Sequence, residues 1–151
     1  MAKRTVTVVL CGLLVLYGVR VGDVFGDQSP AEHTFPSREA EIRYYLAQYG
    51  LSPHWIRVAR VESGWQLDSY IARAGYNYVG MHAVTRRETT AIGTVSFYAR
   101  YANTQSAIAD LRYWADLNPQ RPGESFERWL RRRHWNPNPG YYRYLQQIPL
   151  D

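Results

Sequence analysis

Apolar residues along this chain recur mostly with a helical period. Ile42, Tyr45, Leu46 and Tyr49 share one face, so the pattern predicts a helix capped by Ser37 and ended at Gly50. A second helix is expected to start at Ser52-Pro53, with serine as cap and proline at the first position, and to end at Gly64. From Tyr76 to Tyr101 the pattern changes. Thr89 to Ile92, a turn at Gly93-Thr94, and Val95 to Tyr101 predict a short hairpin. Asn103-Thr104 caps a helix carrying Ala107, Ile108, Leu111, Trp114 and Ala115 on one face, which stops at Asn118-Pro119. Phe126, Trp129 and Leu130 mark a further helix, and Pro139 opens a last one with Tyr141, Tyr144, Leu145 and Ile148 in phase. The fold expected is mainly α, of the α+β kind, with a small β-hairpin lobe. Tyr113 and Trp114 read as core.

One carboxylate disturbs this pattern. Taking about 100° per helical residue with Trp55 at zero, Ala59 falls near 40°, Ile56 near 100°, Val61 near 240° and Val58 near 300°. Arg60 and Arg57 fall near 140° and 200°, on the opposite side, which is expected to face solvent. Glu62 falls near 340°, within the apolar arc. Burial there would disfavour the charged form, and the negative end of the helix dipole, close to Gly64, would oppose a carboxylate as well. A carboxyl that keeps its proton near neutral pH can protonate the leaving oxygen of a sugar. Periodicity alone leaves a second reading open, in which Glu62 pairs with a buried arginine or frays into solvent.

Composition narrows the setting. The 151 residues suit one domain with its own core, and 13 Tyr with 5 Trp suit a packed domain with an aromatic-lined groove. Lys3 and Arg4 precede the apolar run Val6 to Tyr17, the pattern of an export signal, with Val24-Phe25-Gly26 as the cleavage site. The run is short of the ~20 residues of a membrane span, although an uncleaved segment would serve as a membrane anchor. The expected organisation is a signal peptide or anchor over 1–26, a linker over 27–36 and one domain over 37–151. Export would place that domain in the periplasm, the cell envelope or outside the cell. Cleavage after Gly26 would leave 15 basic and 12 acidic residues, a mild positive balance that suits an anionic polymer. The single cysteine, Cys11, lies in the apolar run, so the exported domain would have no disulfide.

Other chemistries find little support. His33, His54, His82 and His134 stand apart, without a metal-ligand spacing or a cysteine pair, so no metal or other cofactor is expected. Ser63 has no glycine two residues before it, so the strand-to-helix elbow of a serine hydrolase is missing. Arg128, Arg131, Arg132, Arg133 and His134 form a basic cluster beside Trp135, the one feature of a nucleic-acid-binding module. Runs of this kind are more often a solvated helix face, and an exported protein meets little nucleic acid, so no nucleic-acid partner is expected.

Glu62-Ser63-Gly64-Trp65, followed by Tyr76-Asn77-Tyr78-Val79-Gly80-Met81, resembles the glucosaminidases of glycoside hydrolase family 73. The likeness continues through Arg86-Arg87-Glu88-Thr89-Thr90, Ser106-Ala107-Ile108-Ala109-Asp110 and Trp135-Asn136-Pro137-Asn138-Pro139-Gly140-Tyr141, covering about Ser37 to Ile148. The resemblance implies a lysozyme-like fold, with a cleft between helices and the β lobe. It also implies an endo-β-N-acetylglucosaminidase that cleaves the β-1,4 bond after N-acetylglucosamine in peptidoglycan glycan strands, with Glu62 as general acid. Trp65, Asn77, Tyr78, Gly80, Met81, Trp135 and Tyr141 are the substrate-binding candidates, aromatic faces for sugar rings and an amide for an N-acetyl group. Each also has a packing or turn role open to it.

The chain departs from the family pattern at Tyr76, Val79, Trp135 and Asn138, where the family has Asn, Phe, Tyr and Asp. Those departures keep a second reading open, a lysozyme-like domain that binds glycan without cleaving it. A second catalytic carboxylate would be Asp68 or Glu88, at ~5 Å from the first for retention or ~6.5–9.5 Å for inversion. Asp110 reads as structural. The substrate's own 2-acetamido group could replace a second acid.

Overall fold

The computed structural model describes residues 34–151. The predicted export segment (1–26) and most of the linker (27–36) lie outside the described residues. Six helices and one two-stranded antiparallel sheet make up the described chain: α1 (Arg38–Gln48), α2 (Trp55–Ser63), α3 (Tyr70–Gly75), β1 (Gly93–Val95), β2 (Tyr98–Arg100), α4 (Thr104–Leu117), α5 (Phe126–Arg132) and α6 (Pro139–Gln147). No helix among the described residues is long and apolar enough to cross a membrane.

Local chemistry sets most helix starts. Ser37 accepts from the Ala40 N–H at 3.1 Å, Asn103 from Ser106 at 2.8 Å and Asn138 from Gly140 at 2.9 Å. Each cap satisfies one of the amide groups that a first helical turn leaves unpaired. Helix α2 begins later than expected. Ser52 and Pro53 form a tight lead-in whose carbonyls accept from Trp55 and Ile56 at 3.2 and 3.1 Å, and the helix proper starts at Trp55.

Helix α2 runs through the middle of the core, burying Trp55, Ile56, Val58 and Ala59. It packs against α1 and α6, while α1 also packs on α4 and α5 on α6. Trp55 is the hub. Its ring meets Trp114, Phe126, Trp129 and Trp135 edge to face, with centroids 4.9–5.8 Å apart. Truncating such a buried tryptophan to alanine costs about 3–5 kcal/mol.

Four expectations need correction. Arg60 does not face solvent, because α1 and the chain's last residues cover that side of α2. It is 7% exposed and its guanidinium bonds Glu39 at 2.8 and 3.0 Å and the Pro149 carbonyl at 2.6 Å. The hairpin turns at Ser96-Phe97, not at Gly93-Thr94. Gly93 and Thr94 pair with Arg100 and Ala99, and Ser96 takes the positive φ (55°) that a two-residue loop requires. Helix α3 was not expected. Ser69 caps it at Ala72 N, but its six residues bury only Ala72 and Gly75, too few for a period. Tyr144 is 49% exposed, because the buried stripe of α6 runs through Tyr141, Tyr142 and Leu145.

The β lobe is wider than its two strands. Ala99 N–H donates to the Met81 carbonyl at 2.9 Å and Ala83 N–H to the Phe97 carbonyl at 3.2 Å, so residues 81–83 flank β2 on its other edge. Gly75 closes the far side. A Cβ there would come within 3.2 Å of Val95 Cγ2, and its carbonyl accepts from Tyr101 N–H at 3.0 Å.

Candidate active site

The last turn of α2 opens onto a cleft of about 330 Å³. One part of its lining is the segment Val79–His82 with Tyr98 of β2, and another is Arg133–Pro137 between α5 and α6. Ser63, 3% exposed, donates its hydroxyl to the Tyr78 carbonyl at 2.8 Å and ties the end of α2 to the first segment. Gly80 then passes directly beside Glu62. Its φ is +72°, and a Cβ on it would lie 3.2 Å from Glu62 Oε2. Backbone conformation and space both select glycine here.

Glu62 is the carboxylate of this cleft. Its position within the apolar arc of α2 was legible, but the residue is exposed, not buried. The arc's last turn reaches past the packed core into an open cleft, so water reaches the side chain while protein crowds the carboxyl on the other sides. Tyr141, 8% exposed, donates its hydroxyl to Glu62 Oε1 at 2.8 Å. Desolvation by the protein that crowds it pushes the Glu62 carboxyl above its ordinary value, while the Tyr141 bond and the His82 charge pull it partly back. The Tyr141 phenol is itself held well above its usual range, first by burial and then by the Glu62 charge and their bond. The neighbouring Trp135 side chain pulls the same phenol partly back.

Of the sequence-based binding candidates, Gly80, Met81 and Trp135 line the cleft with Glu62, and Tyr141 bonds it. The other three do not line it. Asn77 is 2% exposed and its amide is fully used: Nδ2 donates to the Met81 and Ala99 carbonyls at 2.7 and 2.9 Å, and Oδ1 accepts from Met81 N at 2.9 Å. It holds the Gly80 segment against β2 and has nothing left for an N-acetyl group. Tyr78, also 2% exposed, points into the core and meets Thr104 Oγ1 at 3.2 Å. Trp65 is 54% exposed beside a different hollow near α1, with the Arg60 guanidinium 4.8 Å over its ring.

Neither proposed second acid lines the cleft. Asp68 lies just before the Ser69 cap of α3, and Glu88 acts on Tyr113, whose phenol its charge raises. Asp110 is structural, and its partners are Arg87 and Tyr101. It is fully buried, accepts two 2.8 Å bonds from Arg87 and one of 2.7 Å from the Tyr101 hydroxyl. Burial alone would raise its carboxyl, but the bonds from Arg87, Thr89 and Tyr101 outweigh it and hold the group below the usual carboxylate range. This pins residues 87–90 onto α4 and braces one side of the cleft.

His82, Tyr98, Trp114, Arg133 and His134 line the cleft without having been singled out as site residues. His82 follows Gly80-Met81 directly, a signal available in the sequence. Tyr98 and His82 stack at 5.1 Å, with Phe97 at 4.5 Å from Tyr98 on the hairpin tip. The basic cluster does not form one face: Arg132 pairs with Glu124 at 2.7 Å, Arg131 covers the Tyr142 ring, and Arg133 turns to the cleft. Asn138, where the resembled family has Asp, keeps the helix-capping acceptor. No group of His, Cys, Asp and Glu able to hold a metal occurs among the described residues. No family model, curated protein or solved structure matches this chain.

Proposed function

We propose that this chain is a peptidoglycan hydrolase, an endo-β-N-acetylglucosaminidase of lysozyme-like architecture, with Glu62 as its general acid. The observation that carries the reading is the carboxyl itself. It is accessible from a cleft, raised by its surroundings towards a protonated form, and held by a hydrogen bond from Tyr141. The motif resemblance to family 73 glucosaminidases supplies the bond and the polymer. The family's glutamate maps onto this same residue.

Among the described residues, no other Asp or Glu lines the cleft. A two-carboxylate mechanism therefore lacks its second member, and the substrate's 2-acetamido group takes that place. Glu62 gives its proton to the glycosidic oxygen as the C1–O bond breaks, while the acetamido oxygen attacks C1 from the other face. The carboxylate left on Glu62 then takes a proton from water as that water opens the cyclic intermediate and restores the starting configuration. Tyr141 steadies the charge on Glu62 between the two steps.

Digestion of purified sacculi followed by mass spectrometry of the new reducing ends tests the assignment. N-acetylglucosamine ends support it, and muramic-acid ends would mean a muramidase. The rival reading, a domain that only binds glycan, draws on the missing second carboxylate and on Trp135 in place of tyrosine. Binding to sacculi without any new ends would establish it.

A further inference from the structure

Helix α5 ends in a Schellman turn that feeds the cleft. Trp135 N–H reaches back to the Leu130 carbonyl and His134 N–H to Arg131, both at 3.1 Å, with His134 at φ +53°. Glycine takes that left-handed position without steric cost. This chain instead places an imidazole there, and the ring lines the cleft beside Arg133. Strain kept at a cleft mouth in exchange for a side chain points to a use for the side chain.

The charges around it sharpen the point. Arg57, Arg60, Arg87 and Arg132 each pair with a carboxylate of this chain. Arg133 has no ion pair among the described residues, and its buried Nε has no hydrogen-bond partner. Arg133 therefore lines the cleft without a carboxylate of the described chain beside it, and a carboxylate brought by a ligand would supply that partner. Arg133 is not the counter-ion of the acid either. The groups acting on the Glu62 carboxyl are Tyr141 and His82.

We propose that Arg133, with His134 beside it, is a subsite for a carboxylate carried on the glycan strand. The planar fork of an arginine matches a carboxylate's two oxygens. The inference rests on the peptidoglycan reading and extends it: the site selects an acid-substituted strand over a neutral polymer of N-acetylglucosamine. The carboxylate comes either from the lactyl ether of muramic acid or from the peptide attached to it.

Tryptophan fluorescence of the full chain reads binding, because Trp114 and Trp135 line the cleft. The probes are the N-acetylglucosamine–N-acetylmuramic acid disaccharide, its methyl ester, the peptide-bearing disaccharide as acid and as ester, and chitobiose. The acid should bind roughly tenfold or more tightly than its ester, a contrast expected of a charge-assisted pair. Arg133→Gln should bring that ratio close to one, and Arg133→Lys should keep part of it. A preference confined to the peptide-bearing pair assigns the carboxylate to the peptide, and one present without peptide assigns it to the lactyl group. Equal binding of acid and ester in both pairs, or a ratio that survives Arg133→Gln, overturns the subsite. Failure of every probe, chitobiose included, contradicts the glycan reading itself.

Discussion

The Tyr141 hydroxyl donates a 2.8 Å hydrogen bond to Oε1 of Glu62, joining residues 79 positions apart at the floor of the cleft. A bond to a carboxylate favours its charged form. Removing it with Tyr141→Phe should raise the Glu62 carboxyl further, because burial then acts with less opposition. Under the proposed function, loss of the Glu62 proton would set the alkaline limb of the pH–kcat profile, so that limb should move to higher pH. The maximum should fall roughly 10- to 100-fold, the worth of a hydrogen bond to a charged group. An unmoved limb would mean that Tyr141 does not act on Glu62.

Glu62 carries a stability cost that its removal should relieve. Its folded carboxyl lies above the ordinary value, so the folded state holds this proton more tightly than the unfolded chain. The stabilisation from that proton is complete below the unfolded value and is lost as pH rises through the folded one. Glu62→Gln keeps an acceptor for Tyr141 and cannot ionise. Its Tm should exceed that of the parent at neutral pH, and the difference should shrink below about pH 4, near the ordinary glutamate value. Thermal melts across pH measure both.

Asp110 has the opposite sign. Its folded carboxyl lies below the ordinary value, so its contribution is present at neutral pH and lost as pH falls through the folded value. Asp110→Asn leaves Arg87, with a side chain only 10% exposed, without its charge partner. Breaking one member of a buried pair costs about 3–5 kcal/mol. Denaturant unfolding at neutral pH should register that loss, and the gap between parent and variant should narrow in acid.

Gly80→Ala tests the close approach of the Gly80 segment to the acid. A left-handed backbone costs a non-glycine residue about 1–2 kcal/mol. The added methyl would also meet Glu62 Oε2 at 3.2 Å. Stability should fall by that amount, and activity should fall by more than the lost stability explains. A variant with parent-like activity would remove Gly80 from the site.

Elements defined by neighbours in sequence were readable before the structure. The caps Ser37 and Asn103, the proline that opens α6 and the apolar stripes behind them placed α1, α4 and α6 within a residue or two. Features set by distant contacts were not. Arg60 looked solvent-facing because nothing near it reveals that Glu39 and the carbonyls at the chain's end will cover it. Asn77 looked like a ligand for an N-acetyl group because its spending on Met81 and Ala99 depends on a hairpin folding back 22 residues later. Ser96-Phe97 at the hairpin tip carries a weaker turn signature than Gly93-Thr94, so the sequence pattern puts the turn three residues early. Glu62 itself was located by phase, but its exposure required the cleft. The bond from Tyr141, contributed by α6, was invisible to periodicity.

Under the proposed function, Glu62 supplies the proton for glycosidic cleavage. Parent and Glu62→Gln, each confirmed folded and bound to purified sacculi, should be compared for new reducing ends at matched occupancy. The parent should release N-acetylglucosamine ends, and the variant should release them at least roughly a hundredfold more slowly, the scale of general acid catalysis. Equal release of those ends by both proteins would contradict it.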